Sequence, residues 1–270
     1  MPSLSEFPNP LEVLLDPVSL AILALYAALN LWEVLAPGRV LPHVPGWRAR
    51  GLISLAVYFY LTSYLPLLWD GAFAQYQLFD LTSWGVTGAT LTGVLAYELA
   101  VYIWHRALHG SGSLWRAFHQ MHHSAERVDT YGAFYFSPLD MVGWAFVGSL
   151  VLVVGFGVSP AAATAILLTT SFLGIFQHTN IRTPRWLGYL IQRPESHTVH
   201  HAKGVHAHNY SDLPLWDILF GTFRNPLGYE HETGFHPGAS ARVWEMLTFR
   251  DVSRPSDVAD RTQREIPIKV

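Results

Sequence analysis

The sequence predicts an all-α integral membrane bundle of about four to five transmembrane helices, closed on one side by a histidine-rich helical cap. Three observations carry that prediction. Stretches free of Asp, Glu, Lys and Arg recur along the 270 residues, the longest running from Met141 to Ile181. Charged residues make up 14% of the chain and hydrophobic ones 50%, where soluble proteins average about 25% charged. Nine of the 14 histidines fall in four short groups that bracket the apolar stretches.

The elements follow in order. Leu11–Asp16 suits a short interfacial helix. Pro17–Ala36 is the first span, with Glu33 its single charge after Pro17. Pro37–Arg50 is a loop rich in Pro, Gly and Arg. Gly51–Trp69 is uncharged and forms the second span, and Asp70–Asp80 is a loop. Leu81–His105 holds the third span, its membrane part at 84–105, with Glu98 the only charge before Arg106. The run from Met141 to Ile181 is too long for one straight helix, since about 20 residues cross ~30 Å of hydrocarbon. Gly155, Gly157 and Pro160 mark its middle. It reads as a hairpin with arms at 141–156 and 159–177, either crossing or re-entrant. Residues 1–225 then form one membrane-embedded domain and 226–270 a cytoplasmic tail. Met1–Asn9 lacks the basic start of a cleaved leader, so none is expected.

Charge sets the expected orientation. All 17 Lys and Arg residues lie at or after Arg39. If Pro37–Arg50 is cytoplasmic, every one of them is cytoplasmic too, as the positive-inside rule requires. The four histidine groups then share that face. The net charge of −3 gives no reason to expect a nucleic-acid partner. The absence of cysteine excludes disulfides, thiolate metal sites and a catalytic thiol.

The histidine groups are His105 and His109; His119, His122 and His123; His178; and His197, His200 and His201. Residues three and four apart share one face of a helix. Neutral imidazole is the commonest ligand for middle and late first-row metals, and nine supply the first shell of about two ions. An HxxHH triplet either serves one metal or divides between two. Glu98 and Tyr102 lie on the stripe of His105. They, with Asp129, Asn180, Asn209 and Asp212, are candidates to hold imidazole N–H groups. His43, His231 and His236 read as loop and tail residues.

The segments HRALH, HQMHH, QHTN and HTVHH, with the later Asn209-Tyr210-Ser211-Asp212 and Leu215-Trp216-Asp217-Ile218-Leu219-Phe220-Gly221-Thr222, resemble the fatty acid hydroxylase / sterol desaturase superfamily of membrane di-iron oxygenases. The resemblance covers about Leu91 to Pro226. It implies that the nine histidines are metal ligands for two iron ions, with zinc entering on overexpression and O2 as co-substrate. It also implies hydroxylation of a membrane lipid, fatty acyl or sterol-like. Two departures stand out. Glu98 replaces the family's commoner Asp, and Ser137 stands where the family often has histidine. His206 or His208 is therefore a candidate tenth ligand.

Rival readings are a desaturase with the same centre, a zinc-dependent membrane lipid hydrolase and a non-catalytic metal- or lipid-binding protein. Unactivated C–H bonds need an oxidant of the strength that iron makes from O2. Reducing O2 also needs electrons, and the sequence shows no cysteine-ligated cluster, dinucleotide fingerprint or haem domain. An external donor is expected: a ferredoxin, cytochrome b5 or a reductase. Arg116, Arg127, Arg185, Arg193 and Lys203 mark its docking surface, or equally a solvated charged face. The expected location is the bacterial inner membrane or the endoplasmic reticulum, with the site facing the cytoplasm.

Overall fold

The computed structural model describes residues 7–255. Helix α1 (Pro10–Leu15) opens with a reciprocal cap: Asn9 Oδ1 accepts from the Leu11 and Glu12 N–H at 3.0 Å, and Glu12 accepts from the Asn9 N–H at 2.9 Å. Asp16 ends α1 and caps α2 (Pro17–Leu35) through the Val18 N–H. Two long helices follow, α3 (Trp47–Phe73) and α4 (Gly85–Gly110). Next comes a broken helix, α5, built of Gly112–Leu114, a wide π turn at Trp115–His119, and Gln120–His123. The hairpin is α6 (Pro138–Ser149), continued by π turns over Leu150–Gly155, and α7 (Pro160–Gln177).

Five of these helices are long and apolar enough to cross a membrane: Pro17–Leu35, Trp47–Tyr76, Thr82–Gly110, Pro138–Gly155 and Pro160–Gln177. The result is a helical membrane bundle. Large apolar side chains such as Leu31, Leu35, Ile53, Leu91 and Ile103 point outward from it, where lipid substitutes for a protein core. Each hairpin arm has 18 residues, or ~27 Å of helix, so the arms are long enough to cross. At the far end of the bundle, Phe79–Asp80 pairs in parallel with Phe156–Gly157, tying the loop after α3 to the hairpin tip.

Three expected boundaries move. The helix of the second span begins at Trp47 and runs through Pro66 to Phe73, taking in Arg48, Arg50 and Asp70 at its ends. The third continues past His105 to Gly110, so both histidines of the first group lie on one uninterrupted helix. The interfacial helix starts at Pro10.

The larger difference lies beyond residue 226. That segment was expected as a tail, yet its described part packs into the cap. Phe235, Ala239, Met246 and Val252 are buried with Trp47, Met121, Ala125 and Tyr135, and a short helix, α10 (Val243–Leu247), sits in this layer. Gln120 Nε2 donates to the Arg250 carbonyl at 2.9 Å. The periodicity is too short to show this in sequence. Residues 256–270, the rest of the expected tail, lie outside the described residues, as does most of the N-terminal stretch read for a leader. The cap is completed by α8 (Pro194–His200) and α9 (Pro214–Leu219). Glu33, at the end of α2, stitches cap to bundle: its Oε2 accepts from Thr130 N–H, Thr130 Oγ1 and Asn180 N–H at 2.8, 2.6 and 3.0 Å.

Candidate metal centre

Four elements bring the histidines together at the end of the bundle. α4 presents His105 and His109 one turn apart. The π turn of α5 closes at His119, and the following turn presents His122 and His123. Such turns recur at functional sites because they re-aim side chains. His178 caps the C-terminus of α7. α8 carries His197 and His200, and His201 ends it.

The nine side chains sort into two groups. One is His105, His109, His119, His123 and His200; the other is His122, His178, His197 and His201. Within each, one ligand-capable atom per residue lies within 4.8 Å of all the others. Each HxxHH triplet divides: His119 and His123 face one group and His122 the other, while His200 parts from His197 and His201. The groups adjoin, with the His123 and His201 rings stacked at 4.2 Å.

Hydrogen bonding tests whether these residues suit a cation. His105 Nδ1 lies 2.7 Å from the Tyr210 carbonyl, His178 Nδ1 2.7 Å from the Gly174 carbonyl and His200 Nδ1 2.7 Å from the His208 carbonyl. His119 Nδ1 lies 2.7 Å from Asp140 Oδ2. Each acceptor requires Nδ1 to carry the proton, which leaves Nε2 of a neutral ring as a bare lone pair. Yet His105 Nε2 and His119 Nε2 stand 2.9 Å apart. Two lone pairs at that distance repel unless a positive ion sits between or beside them. His178 Nε2, a bare lone pair for the same reason, lies 3.0 Å from His122 Nε2 and 2.9 Å from His197 Nε2. The buried Nε2 atoms of His109, His123 and His200 have no protein partner. The donor set fits one metal ion per group. Burial also holds the imidazoles of His119, His122, His123, His197, His200 and His201 well below their usual pKa, keeping them neutral and able to ligate.

The expected supports for the imidazoles take other roles. Glu98 bonds no imidazole: its Oε2 accepts from Ser211 Oγ at 2.9 Å, Asp212 N–H at 2.9 Å and Leu213 N–H at 3.3 Å. The two helical turns between Glu98 and His105 put it beside that loop instead. Tyr102 bonds Arg106 and Thr222. Asn180 holds Arg39, Asn209 braces Ser196 and Arg224, Asp129 takes Trp47 and Arg127, and Asp212 accepts from Gln177. These residues build the frame around the centre. Neither His206 nor His208 joins a ligand group. His206 Nδ1 lies 3.1 Å from His123 Nδ1, against the outer side of that ring, and His208 contributes its carbonyl to His200. Ser137 Oγ donates to the Phe118 carbonyl and caps α6. Arg193, expected on a docking face, is fully buried, bonding Thr183, Asn225 and Pro226.

Asp140 is the residue that the sequence reading missed. Ser137-Pro138-Leu139-Asp140 carries an ordinary helix start, with Asp in the first turn, which hides the carboxylate's second role. Backbone carbonyls such as those of Tyr210 and Gly174 leave no signal in sequence at all.

The fatty acid hydroxylase family model matches residues 90–222, the segment that holds all nine histidines. Residues 90–222 form a fatty acid hydroxylase domain. It is 32% identical over 160 residues to an ornithine lipid hydroxylase of Rhizobium tropici, covering 57% of this chain and 47% of that one. It is 33% identical over 153 residues to a very-long-chain aldehyde decarbonylase of Oryza sativa, covering 51% of this chain and 24% of the relative. A Delta(7)-sterol-C5(6)-desaturase of Nicotiana tabacum is 26% identical over 166 residues, 59% of this chain and 57% of its own. The chain thus spans half or less of the first two relatives. No solved structure matches it.

Proposed function

We propose that this protein is an O2-dependent oxidoreductase that hydroxylates a membrane lipid at a di-iron centre on the cytoplasmic face. The observation that carries the proposal is the pairing of two adjoining all-histidine groups with a cavity that opens toward the membrane helices. The first group offers five imidazoles and the second four. When bound, the two ions supply the redox chemistry that couples O2 reduction to attack on a C–H bond. Overall, a C–H bond becomes C–OH, the second oxygen atom leaves as water, and an external donor supplies the electrons.

The chain's own residues position and protect. The carbonyls of Tyr210, Gly174 and His208 and the carboxylate of Asp140 fix four ring tautomers and orientations, so Nε2 faces inward without rearrangement. Phe136 and Trp144 wall the site, with the Phe136 ring 4.4 Å from that of His122, and exclude water. Arg116, Arg185 and Lys203 remain exposed on the cap and offer the external donor a basic surface. The ligand set contains no thiolate or carboxylate, so it does not by itself separate iron from zinc. The test is direct. Purified iron-loaded protein, given a membrane lipid extract, O2 and a chemical or protein reductant, is expected to yield lipids with one added oxygen atom. A product lacking two hydrogens indicates desaturation by the same centre. Lipid turnover that persists without O2 and reductant contradicts the proposal.

A further inference from the structure

The segment 211–223 leaves the cap and lies against α4 at membrane depth. The membrane part of α4 runs over 84–105, and Arg106 is the first charge after Glu98. Glu98, seven residues or ~10.5 Å along the axis before His105, accepts from the backbone N–H of Asp212 and Leu213. Trp216 Nε1 donates to the Leu95 carbonyl at 3.2 Å. Leu95 stands ten residues before His105, or ~15 Å, near the middle of ~30 Å of hydrocarbon. The Phe220 ring then stacks on that of Tyr102 at 4.9 Å. α9 therefore flanks α4 from Leu95 to Tyr102, short of the first histidine pair.

The outward side of this segment suits hydrocarbon. Leu215, Ile218, Leu219 and Phe220 are exposed, Leu219 by 63%, and no exposed residue of α9 is polar. Its one carboxylate, Asp217, turns inward and accepts from Tyr210 N–H, Ser211 N–H and Thr222 Oγ1. The N–H groups of Phe220, Gly221, Thr222 and Phe223 all find carbonyls within the segment. Irregular backbone at membrane depth requires such internal partners. The neighbouring turn Arg185–Tyr189 and the residue after it add exposed Trp186, Tyr189 and Leu190. The Tyr189 and Phe223 rings lie 5.7 Å apart. Leu91 and Leu95 of α4 are exposed as well, so the apolar patch continues the lipid-facing surface of the bundle.

Three arginines edge the patch where it returns to the cap. Arg106, Arg185 and Arg224 are exposed, and among the described residues none of them pairs with a carboxylate. Arg106 Nη1 donates to the Tyr102 hydroxyl at 2.9 Å, and Arg185 Nε to the carbonyl of Asn225, next to Arg224, at 3.3 Å. Unpaired guanidinium groups beside an apolar face match the anionic phosphates above an acyl layer.

We propose that residues 211–223 form a re-entrant element seated among the acyl chains of the leaflet on the cap's side, and that Arg106, Arg185 and Arg224 hold anionic lipid headgroups above it. Asp212, at its start, lines the cavity of about 140 Å³ that touches His105, His119 and His122. The element that meets lipid is thus also a wall of the histidine centre. Arg185 then serves the membrane, and Arg116 and Lys203 remain for the electron donor.

The lack of cysteine permits a depth measurement on the full chain in lipid nanodiscs. A fluorophore is attached at Leu219→Cys, with Leu91→Cys as the lipid-facing reference and Lys203→Cys as the aqueous one. Lipids brominated on the acyl chain are expected to quench Leu219→Cys about as strongly as Leu91→Cys, and iodide to quench it several-fold less than Lys203→Cys. Iodide quenching equal to that of Lys203→Cys overturns the proposal. So does shielding from both quenchers, which marks contact with a second copy of the chain. Headgroup binding is read by native mass spectrometry of lipids retained from nanodiscs of equal phosphatidylglycerol and phosphatidylcholine. The wild type is expected to retain the anionic lipid in several-fold excess, and Arg185→Gln combined with Arg224→Gln to bring the ratio toward one. Equal retention by the wild type, or an unchanged excess in the double variant, overturns the headgroup assignment.

Discussion

Asp140 Oδ2 accepts the Nδ1–H of His119 at 2.7 Å, with both side chains almost wholly sequestered from solvent. The carboxylate comes from the start of α6 and the imidazole from the π turn of α5, so the bond ties the hairpin to the histidine cap. A carboxylate behind a ligating imidazole fixes its tautomer and raises its basicity. Asp140→Asn is expected to weaken metal binding by about tenfold, and Asp140→Ala by up to about a hundredfold. Metal competition titrations measure both. Unchanged affinity in a folded Asp140→Ala protein contradicts the assigned role.

Glu98 acts on stability. Its Oε2 collects one hydroxyl and two backbone N–H donors from Ser211, Asp212 and Leu213. Glu98→Ala strands these donors, at about 1–3 kcal/mol for each one left buried and unpaired. The melting temperature is expected to fall by several degrees, at ~2–4 °C per kcal/mol for a chain of this size. Metal content measured in the cold is expected to stay near wild type. A normal melting temperature with lost metal would restore Glu98 as a direct imidazole partner.

Metal-free protein is expected to lose stability as pH falls. Burial depresses six ligand imidazoles of the cap from the ordinary value of 6.5 and brings His206 to about 4. At these histidines the unfolded chain binds more protons than the folded one below about 6.5, so their contribution to stability is full above that pH and declines beneath it. The decline continues through the depressed folded values, and for His206 it ends near 4. Melting temperatures of chelator-stripped protein from about pH 8 to pH 5 test this. A flat profile contradicts it.

The orientation is testable because the chain has no cysteine of its own. A single cysteine at His43, in the loop before α3, is expected to react with an impermeant thiol reagent only from the cytoplasmic side. One at Gln75, after α3, is expected to react only from the opposite side. The reverse pattern would place the histidine centre away from the cytoplasm and contradict the positive-inside argument.

The spans and the histidine sets were legible because both signals are local. Met141–Ile181 excludes charge over a length that only membrane or a buried hairpin explains, and spacings of three and four put His105 with His109 and His119 with His122 and His123. The division of His119, His122 and His123 between two groups was not legible. In both triplets the pair four residues apart joins one group and the histidine three residues on from the first joins the other, and the spacing alone does not say which group either one meets. Glu98 was assigned to the histidines because it shares their helix stripe. Its true partners come from a loop more than 100 residues later. Phe235 and Met246 were read as tail because burial across a long sequence separation leaves no periodic trace.

The central claim is that the two histidine groups each hold one metal ion, and counting metal tests it most directly. Protein purified from iron-replete cells is predicted to contain about two iron ions per chain. His109→Ala, which removes a ligand from the first group, and His197→Ala, which removes one from the second, are each predicted to lower that count toward one. Wild-type protein that is active with a single ion or none, or two variants that both retain the full count, would contradict the account.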